Sequence, residues 1–216
     1  MSARDRILGR IRAGAAGRRD PDRAEQAARR IVEPPAPLIP HQAASQGRRR
    51  AIQFMAKAEA AAATIGRVSS LAELPRAVAH ELRKRDLPPA IRAGADPAFR
   101  GLDWGQVAVS RGPGRLEEPA TLGRAEFGLA ETGSLAMASG PDNPVTLTFL
   151  GETHFVVLRT ADLCAGFEDF WAAWRARGLD PRTLTLVTGP SRSADIGQVL
   201  QLGAHGPIAL HVFLLE

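Results

Sequence analysis

Cysteine is almost missing from this sequence: Cys164 is the only one. No intrachain disulfide can form, which fits a reducing compartment, so a cytoplasmic location is expected. One thiol also excludes an all-cysteine iron–sulfur site, which takes about four thiolates, and a thiol-rich structural zinc site. Tyrosine is absent and lysine nearly so; of 28 basic residues only Lys57 and Lys84 are not arginine. The isoelectric point of about 10.7 follows partly from that, because arginine titrates above lysine and no phenol offsets it. No apolar run approaches twenty residues, so no membrane span is expected, and MSARDRILGRIRAG (1–14) lacks the apolar core of a secretion signal. Three motifs are also missing: G-x-G-x-x-G after a strand, G-x-x-x-x-G-K-[ST], and G-x-S-x-G. An unaided dinucleotide dehydrogenase, P-loop kinase or serine hydrolase therefore has no support.

What is present is unevenly spread. Residues 1–50 carry twelve arginines against five acids, leaving residues 51–216 with a net charge of −2 out of the total +5. The basicity belongs to the first segment, and a nearly neutral remainder argues against nucleic acid as a partner. With 44% hydrophobic residues in 216, the chain has enough apolar side chains for one main domain.

Residues 3–15 read as a short amphipathic helix with Ile7, Leu8 and Ile11 on one face, and 22–31 as a second helix. Three turns are marginal alone in water, so the first helix must dock on its own domain, on a symmetry mate or on a partner subunit. In VEPPAPLIP (32–40), Pro34, Pro35, Pro37 and Pro40 forbid helix. The expected organisation is an N-terminal helical arm with a proline-rich linker over 1–40 and one domain over 41–216. Within the domain, 43–63 has helical propensity, with Arg48, Arg49 and Arg50 read as a solvated face. Ile65–Val68 is a short strand, and Ser70 with Glu73 forms a capping box opening a helix to about Arg85. Short apolar runs punctuated by Gly and Pro predict strands at 89–94, 106–110, 125–130 and 134–139. Residues 143–152 fit a strand or a short helical turn. HFVVLR (154–159) is a buried strand. Residues 160–177 form a helix with Phe167, Phe170, Trp171 and Trp174 on one side. TLTLVTG (183–189) is a strand, 193–203 a short helix and IALHVFLL (208–215) a final strand. This strand–helix alternation predicts an α/β fold with a parallel sheet covered on both faces.

Three places could carry chemistry. In TGPSRSADIG (188–197), Gly189 permits a tight turn before Pro190, Ser193 can cap the helix and Asp195 suits its positive end. Ser191 and Arg192 would then lie at the carboxyl end of a strand beside helix N–H groups, where open α/β sheets hold anions. An ordinary strand-to-helix turn with a surface arginine explains the same residues. In AETGSLAM (130–137), Glu131-Thr132-Gly133 is either a β-turn or a general base held at a strand edge. His154 and His205 flank apolar strands where a pocket would form, whereas His211 alternates with core residues and reads as a core imidazole. A metal site of His154, His205 and Glu131 can be written down, but the spacing carries no ligand signature, and no metal is expected. Cys164, early in the 160–177 helix, reads as a buried inert thiol.

Taken in order, AEFGLAETGSLAM (125–137), THFVVLRTADL (153–163) and VTGPSRSADIGQVLQLGAHGPIALHVFLL (187–215) resemble the LUD domain, most closely that of the lactate-utilisation protein C family. The Arg-rich start SARDRILGRIRA (2–13) is similar to that family's too. The resemblance implies a Rossmann-like parallel sheet with a β insertion, like the NagB/RpiA/CoA-transferase group, plus the N-terminal helical arm. It implies a function in oxidising L-lactate to pyruvate with iron–sulfur protein subunits as partners. The clusters would lie on those partners, and this chain would hold no cofactor of its own. It raises the weight of Glu131, Thr132, Gly133, Gly189, Pro190, Ser191, Arg192, Ala194, Asp195, His205, Gly206 and Pro207. Glu131 and His205 become candidate proton carriers; Thr132, Gly133, His154, Gly189, Pro190, Ser191, Arg192, Asp195 and Gly206 become candidate contacts to a small anionic ligand. The chain departs from the pattern at LTFLGETHF (147–155), where relatives approach the histidine through prolines. The rival expectation is a stand-alone enzyme of the same fold group acting on a phosphorylated, CoA-type or folate-type anion.

Overall fold

The structure, a computed structural model, describes residues 2–16, 21–33, 36, 38–116, 118–194 and 200–216. It divides into two compact units, Met1–Leu38 and Ile39–Glu216. The first holds two helices, α1 (Ala3–Ala16) and α2 (Pro21–Val32). Before α1, Ser2 and Asp5 cap each other reciprocally: the Asp5 N–H donates to the Ser2 hydroxyl and the Ser2 N–H to the Asp5 carboxylate. Pro21 opens α2, where its missing N–H costs nothing.

The second unit begins with α3 (Gly47–Ala60), β1 (Thr64–Val68), α4 (Leu74–Lys84), β2 (Ala90–Ala93), β3 (Ala108–Arg111) and β4 (Ala120–Arg124). Then come β5 (Phe127–Leu129), β6 (Ser134–Ala138), α5 (Val145–Phe149), β7 (Thr153–Arg159), β8 (Leu163–Cys164) and α6 (Phe167–Ala176). It ends with β9 (Leu184–Val187), β10 (Arg192–Ala194), β11 (Leu200–Leu202) and β12 (Ala209–Leu215). Six strands form a parallel sheet in the order β1-β12-β7-β4-β2-β3. Two of its interior strands, β7 and β12, read as apolar runs broken by one histidine each, with Thr153 and Arg159 at the ends of β7, because helices cover both faces. Phe54 and Ala58 of α3 pack with Val156, Leu158, Val212 and Leu214 on one side. Leu74, Val78 and Leu82 of α4 pack with Leu122, Phe155, Val157 and Phe213 on the other. This is the expected α/β class, a parallel sheet with a β insertion.

The insertion is a second sheet, β8-β5-β6-β9, growing from the carboxyl ends of β4 and β7. The Ala125 N–H still donates to Val157 O at 2.9 Å before the chain turns away into β5. Phe127 and Leu129 there pack against Phe170 and Trp174 of α6. Trp171 is 40% exposed, so the aromatic side of α6 is narrower than expected.

Several expectations are corrected. TLTLVTG does form a strand, but β9 pairs antiparallel with β6 in the second sheet instead of joining the parallel one. No helix starts at Ser193: Arg192–Ala194 and Leu200–Leu202 are antiparallel strands, and 195–199 lie outside the described residues. Residues 143–152 resolve as the short helix α5. Cys164 lies in β8, ahead of α6. Arg48 and Arg49 are exposed as expected, but Arg50 turns inward and donates to the carbonyls of Ser45 (3.1 Å) and Leu163 (2.9 Å). Ser70 makes no side-chain cap; the Glu73 carboxylate instead accepts the Ser69 N–H at 3.0 Å.

Candidate functional site

The Glu131-Thr132-Gly133 turn joins β5 to β6 and is pressed against α3. Gly133 has φ +72°, and a methyl group there would fall inside the backbone of Lys57 and Ala58. Gly189, at φ +75°, is held the same way against the carbonyl of Ala61. Two glycines from motifs more than fifty residues apart thus let two turns close on the end of one helix. A chain of hydroxyls links those turns: Thr132 Oγ1 lies 2.7 Å from Ser134 Oγ, which lies 2.6 Å from Thr188 Oγ1. The Glu131 carboxylate faces elsewhere, accepting from Gln42 Nε2 at 3.3 Å and lying over the Cα of Gly166.

Beyond Gly189 and the buried Pro190, the chain meets the His205-Gly206-Pro207 loop. The Ser191 N–H donates to Pro207 O at 2.8 Å, the Gly203 N–H to Ser191 O at 3.2 Å, and the His205 N–H to Ser191 Oγ at 3.3 Å. Gly206 lies against Ser191 across the two loops, where a Cβ would make ordinary contact at 3.4 Å with that of Ser191. A cavity of about 440 Å³ opens at this junction, lined by Phe149, Glu152, Gly203, His205, Gly206 and Ile208 among others. Glu152 and Ile208 directly precede β7 and β12, so the cavity lies at the amino ends of the parallel strands. The carboxyl-end position expected for Ser191 and Arg192 is therefore corrected: β9, which leads to them, belongs to the other sheet. Arg192 opens β10 and is exposed.

His154, the second residue of β7, is fully buried, with no partner on either ring nitrogen. Its Nε2 and the buried Oδ1 of Asn143, also without a partner, face Gly123 of β4, at 3.2 and 2.7 Å from where a Cβ would stand. Burial pushes the His154 imidazole down to about 4, so it is neutral at physiological pH. His211 is the expected core imidazole. Its Nδ1 lies 2.7 Å from Thr64 Oγ1, and burial, opposed by Glu81, holds it down at about 4. Burial, followed by the charge of Asp169, raises the Cys164 thiol to about 11, which fits the inert reading.

The structure thus brings together Thr132, Ser134 and Thr188 on one hand, and Ser191, His205 and Gly206 on the other, joined through Gly189 and Pro190. Glu131 and His154 each sit apart from the cavity, and Asp195 lies outside the described residues. Among the described residues no group of three His, Cys, Asp or Glu side chains is placed to hold a metal ion. Sequence reasoning missed an ion network at the other end of the sheet. Arg124 binds Asp96 at 2.6 Å and Glu126 at 3.2 Å; Arg177 binds Glu126 at 3.3 Å and Asp162 at 2.6 Å; Arg159 also binds Asp162, at 2.6 Å. Only Asp96 had a local signal, an Asp-Pro pair in which its carboxylate caps the following turn by accepting the Ala98 N–H. It also missed Phe149 and Glu152 as cavity walls, since a position becomes a wall only when the HGP loop folds over it.

Residues 119–215 match the LUD domain family. A lactate utilization protein C from Bacillus licheniformis is 28% identical over 120 residues, covering 53% of this chain and 50% of that protein. One from Anoxybacillus flavithermus is 29% identical over 104 residues, covering 46% and 47%. An uncharacterized protein from Neisseria meningitidis is 36% identical over 87 residues, covering 38% and 36%. The match thus spans between about a third and a half of the length of these curated relatives. Among solved structures, a DUF162 family protein from Deinococcus radiodurans has a TM-score of 0.62 at 23% identity, over 80% of this chain and 100% of that one, which shows a shared fold. Among the described residues no helix is long and apolar enough to cross a membrane.

Proposed function

We propose that this chain, whose residues 119–215 match the LUD domain, serves lactate utilisation as the cluster-free subunit of an iron–sulfur assembly. That assembly oxidises L-lactate to pyruvate, releasing two electrons and two protons, with the electrons passing to clusters on partner subunits. Support comes from the name shared by two relatives, lactate utilization protein C. It comes also from the donor set, since the one thiol is buried and held neutral at about 11.

The observation that carries the site is the junction of two distant loops, where the His205 N–H donates to Ser191 Oγ beside the 440 Å³ cavity. In this reading Arg192 supplies a donor fork for the carboxylate of a small anion, and the Ser191 and Gly206 backbones shape its seat. Glu152, on the cavity wall, opposes an anion, and Arg192, which follows Ser191 but is not part of the cavity lining, must swing toward it to offset that charge. His205, at the rim, takes a proton. Thr132, Gly133, Gly189 and Pro190 hold the two loops against α3. Glu131 lies outside the cavity and carries no proton in this scheme.

The test is lactate-dependent reduction in the assembled complex. Arg192→Ala should raise KM for lactate about ten-fold or more, the loss of a charge-assisted bond. His205→Gln should lower kcat, with KM less affected. Unchanged kinetics in both variants would remove the site from this reading. A second reading, a stand-alone enzyme for a phosphorylated or CoA- or folate-type anion, is favoured by the size of the cavity, which admits more than lactate. Thermal shift of the isolated chain with sugar phosphates, CoA esters and folates separates the two, because a ligand that binds the native state raises its melting temperature.

A further inference from the structure

β1 closes one side of the parallel sheet: it pairs with β12, and among the described residues no strand pairs with its outer edge. Such an edge leaves backbone N–H and C=O groups open to another strand. Proteins usually blunt an edge with charged side chains, proline or a bulge; Thr64-Ile65-Gly66-Arg67-Val68 has no proline and a single charge, Arg67, which is paired with Glu216. The two sides of this edge differ in chemistry. Toward α4 lies a groove of about 640 Å³ lined by Arg76, His80 and Arg83, with Arg67, already paired with Glu216, and Glu73, already accepting the Ser69 N–H, at its margin. Arg76, His80 and Arg83 enter no ion pair among the described residues. Toward α3 lies a groove of about 410 Å³ with an apolar floor of Ala51, Ile52, Met55 and Leu214 and a rim that carries Arg48 and the Arg67–Glu216 pair; Ile52 is 52% exposed.

Successive side chains of a strand point to opposite faces. A strand added to β1 would send alternate residues into the cationic groove and into the apolar one. We infer that β1 is a docking edge for an extended segment of a partner protein in which acidic and apolar residues alternate. Backbone hydrogen bonds to Thr64–Val68 supply affinity, and the two unlike grooves supply register. A second copy of this chain is a poor occupant, because edge-to-edge pairing would bring the unpaired Arg76 and Arg83 of both copies together. The inference stands independently of the lactate reading.

The test uses the full chain and a fluorescent peptide of four Glu-Val repeats, blocked at both ends. Saturable binding below about 1 mM is expected, with new amide-exchange protection confined to Thr64–Val68 and its neighbours. Arg76→Glu combined with Arg83→Glu, both exposed positions that leave the fold intact, should weaken binding about ten-fold or more. A Lys-Val repeat and a fully N-methylated Glu-Val repeat should both fail to bind. Absence of binding would overturn the proposal, as would equal binding of the N-methylated peptide. Tighter binding of an oligothymidine through the same arginines would make this a nucleic-acid groove and overturn it too. So would self-association that protects Thr64–Val68 without peptide.

Discussion

His154 and His211 lie on adjacent strands and share a depressed affinity for protons, but their surroundings differ. His211 has Thr64, Glu81 and Arg85 around it, whereas neither ring nitrogen of His154 has a hydrogen-bond partner. An imidazole at about 4 in the fold and about 6.5 in the unfolded chain binds its proton first in the unfolded state. Stability is therefore fully present above about pH 6.5 and is lost as the pH falls toward 4. His154→Leu should remove about 2 kcal/mol of that acid sensitivity, read as the difference between urea unfolding curves at pH 7 and pH 4.5. Equal acid sensitivity in the variant would mean that His154 is protonated inside the fold. Gly133→Ala makes a second residue-level prediction: with φ +72° and the α3 backbone in the way, it should cost about 3 kcal/mol or more, seen as a lower urea midpoint. Both residues stood out in the sequence as motif members. What could not be read there is that Gly133 is needed for close approach to a helix seventy residues upstream.

Strands β7 and β12 were legible because burial on both faces writes itself as a mostly apolar run. α4 was legible from its helix-start residues, although the Ser70 cap read there does not form. β9 was legible as a strand but not as a member of the second sheet, since four alternating residues do not name their partner. The segment after Pro190 failed for a different reason. Ser193, Ala194 and Asp195 carry helix-start chemistry, but the pairing of Arg192–Ala194 with Leu200–Leu202 overrides it. The ion network was invisible because its members lie far apart in sequence, on β4, on either side of it, and around α6. At this scale Asp162→Ala should cost about 2 kcal/mol, because it strips a carboxylate only 6% exposed from both Arg159 and Arg177. The exposed Glu25–Arg29 pair should matter far less: Glu25→Ala should change the unfolding free energy by less than about 0.5 kcal/mol. Equal effects from the two variants would show that the network contributes no more than a surface pair.

For the molecule as a whole, the sequence conveyed the fold class and the segments of the candidate site, but it assigned the strand that leads into TGPSR to the wrong sheet. The reasoning that failed was topological. It assumed that a strand leading into TGPSR must be a parallel one, whose carboxyl end faces a helix. In the fold, the β insertion carries that strand and returns the chain to the amino ends of β7 and β12, where the HGP loop waits. The measurement that tests the central claim most directly is purification of the tagged full chain from its native cells grown on L-lactate, followed by visible spectroscopy. Brown co-purifying subunits whose absorbance bleaches when L-lactate is added are the predicted result, and His205→Gln should slow that bleaching while keeping the assembly intact. A colourless chain that emerges alone from lactate-grown cells would contradict the account.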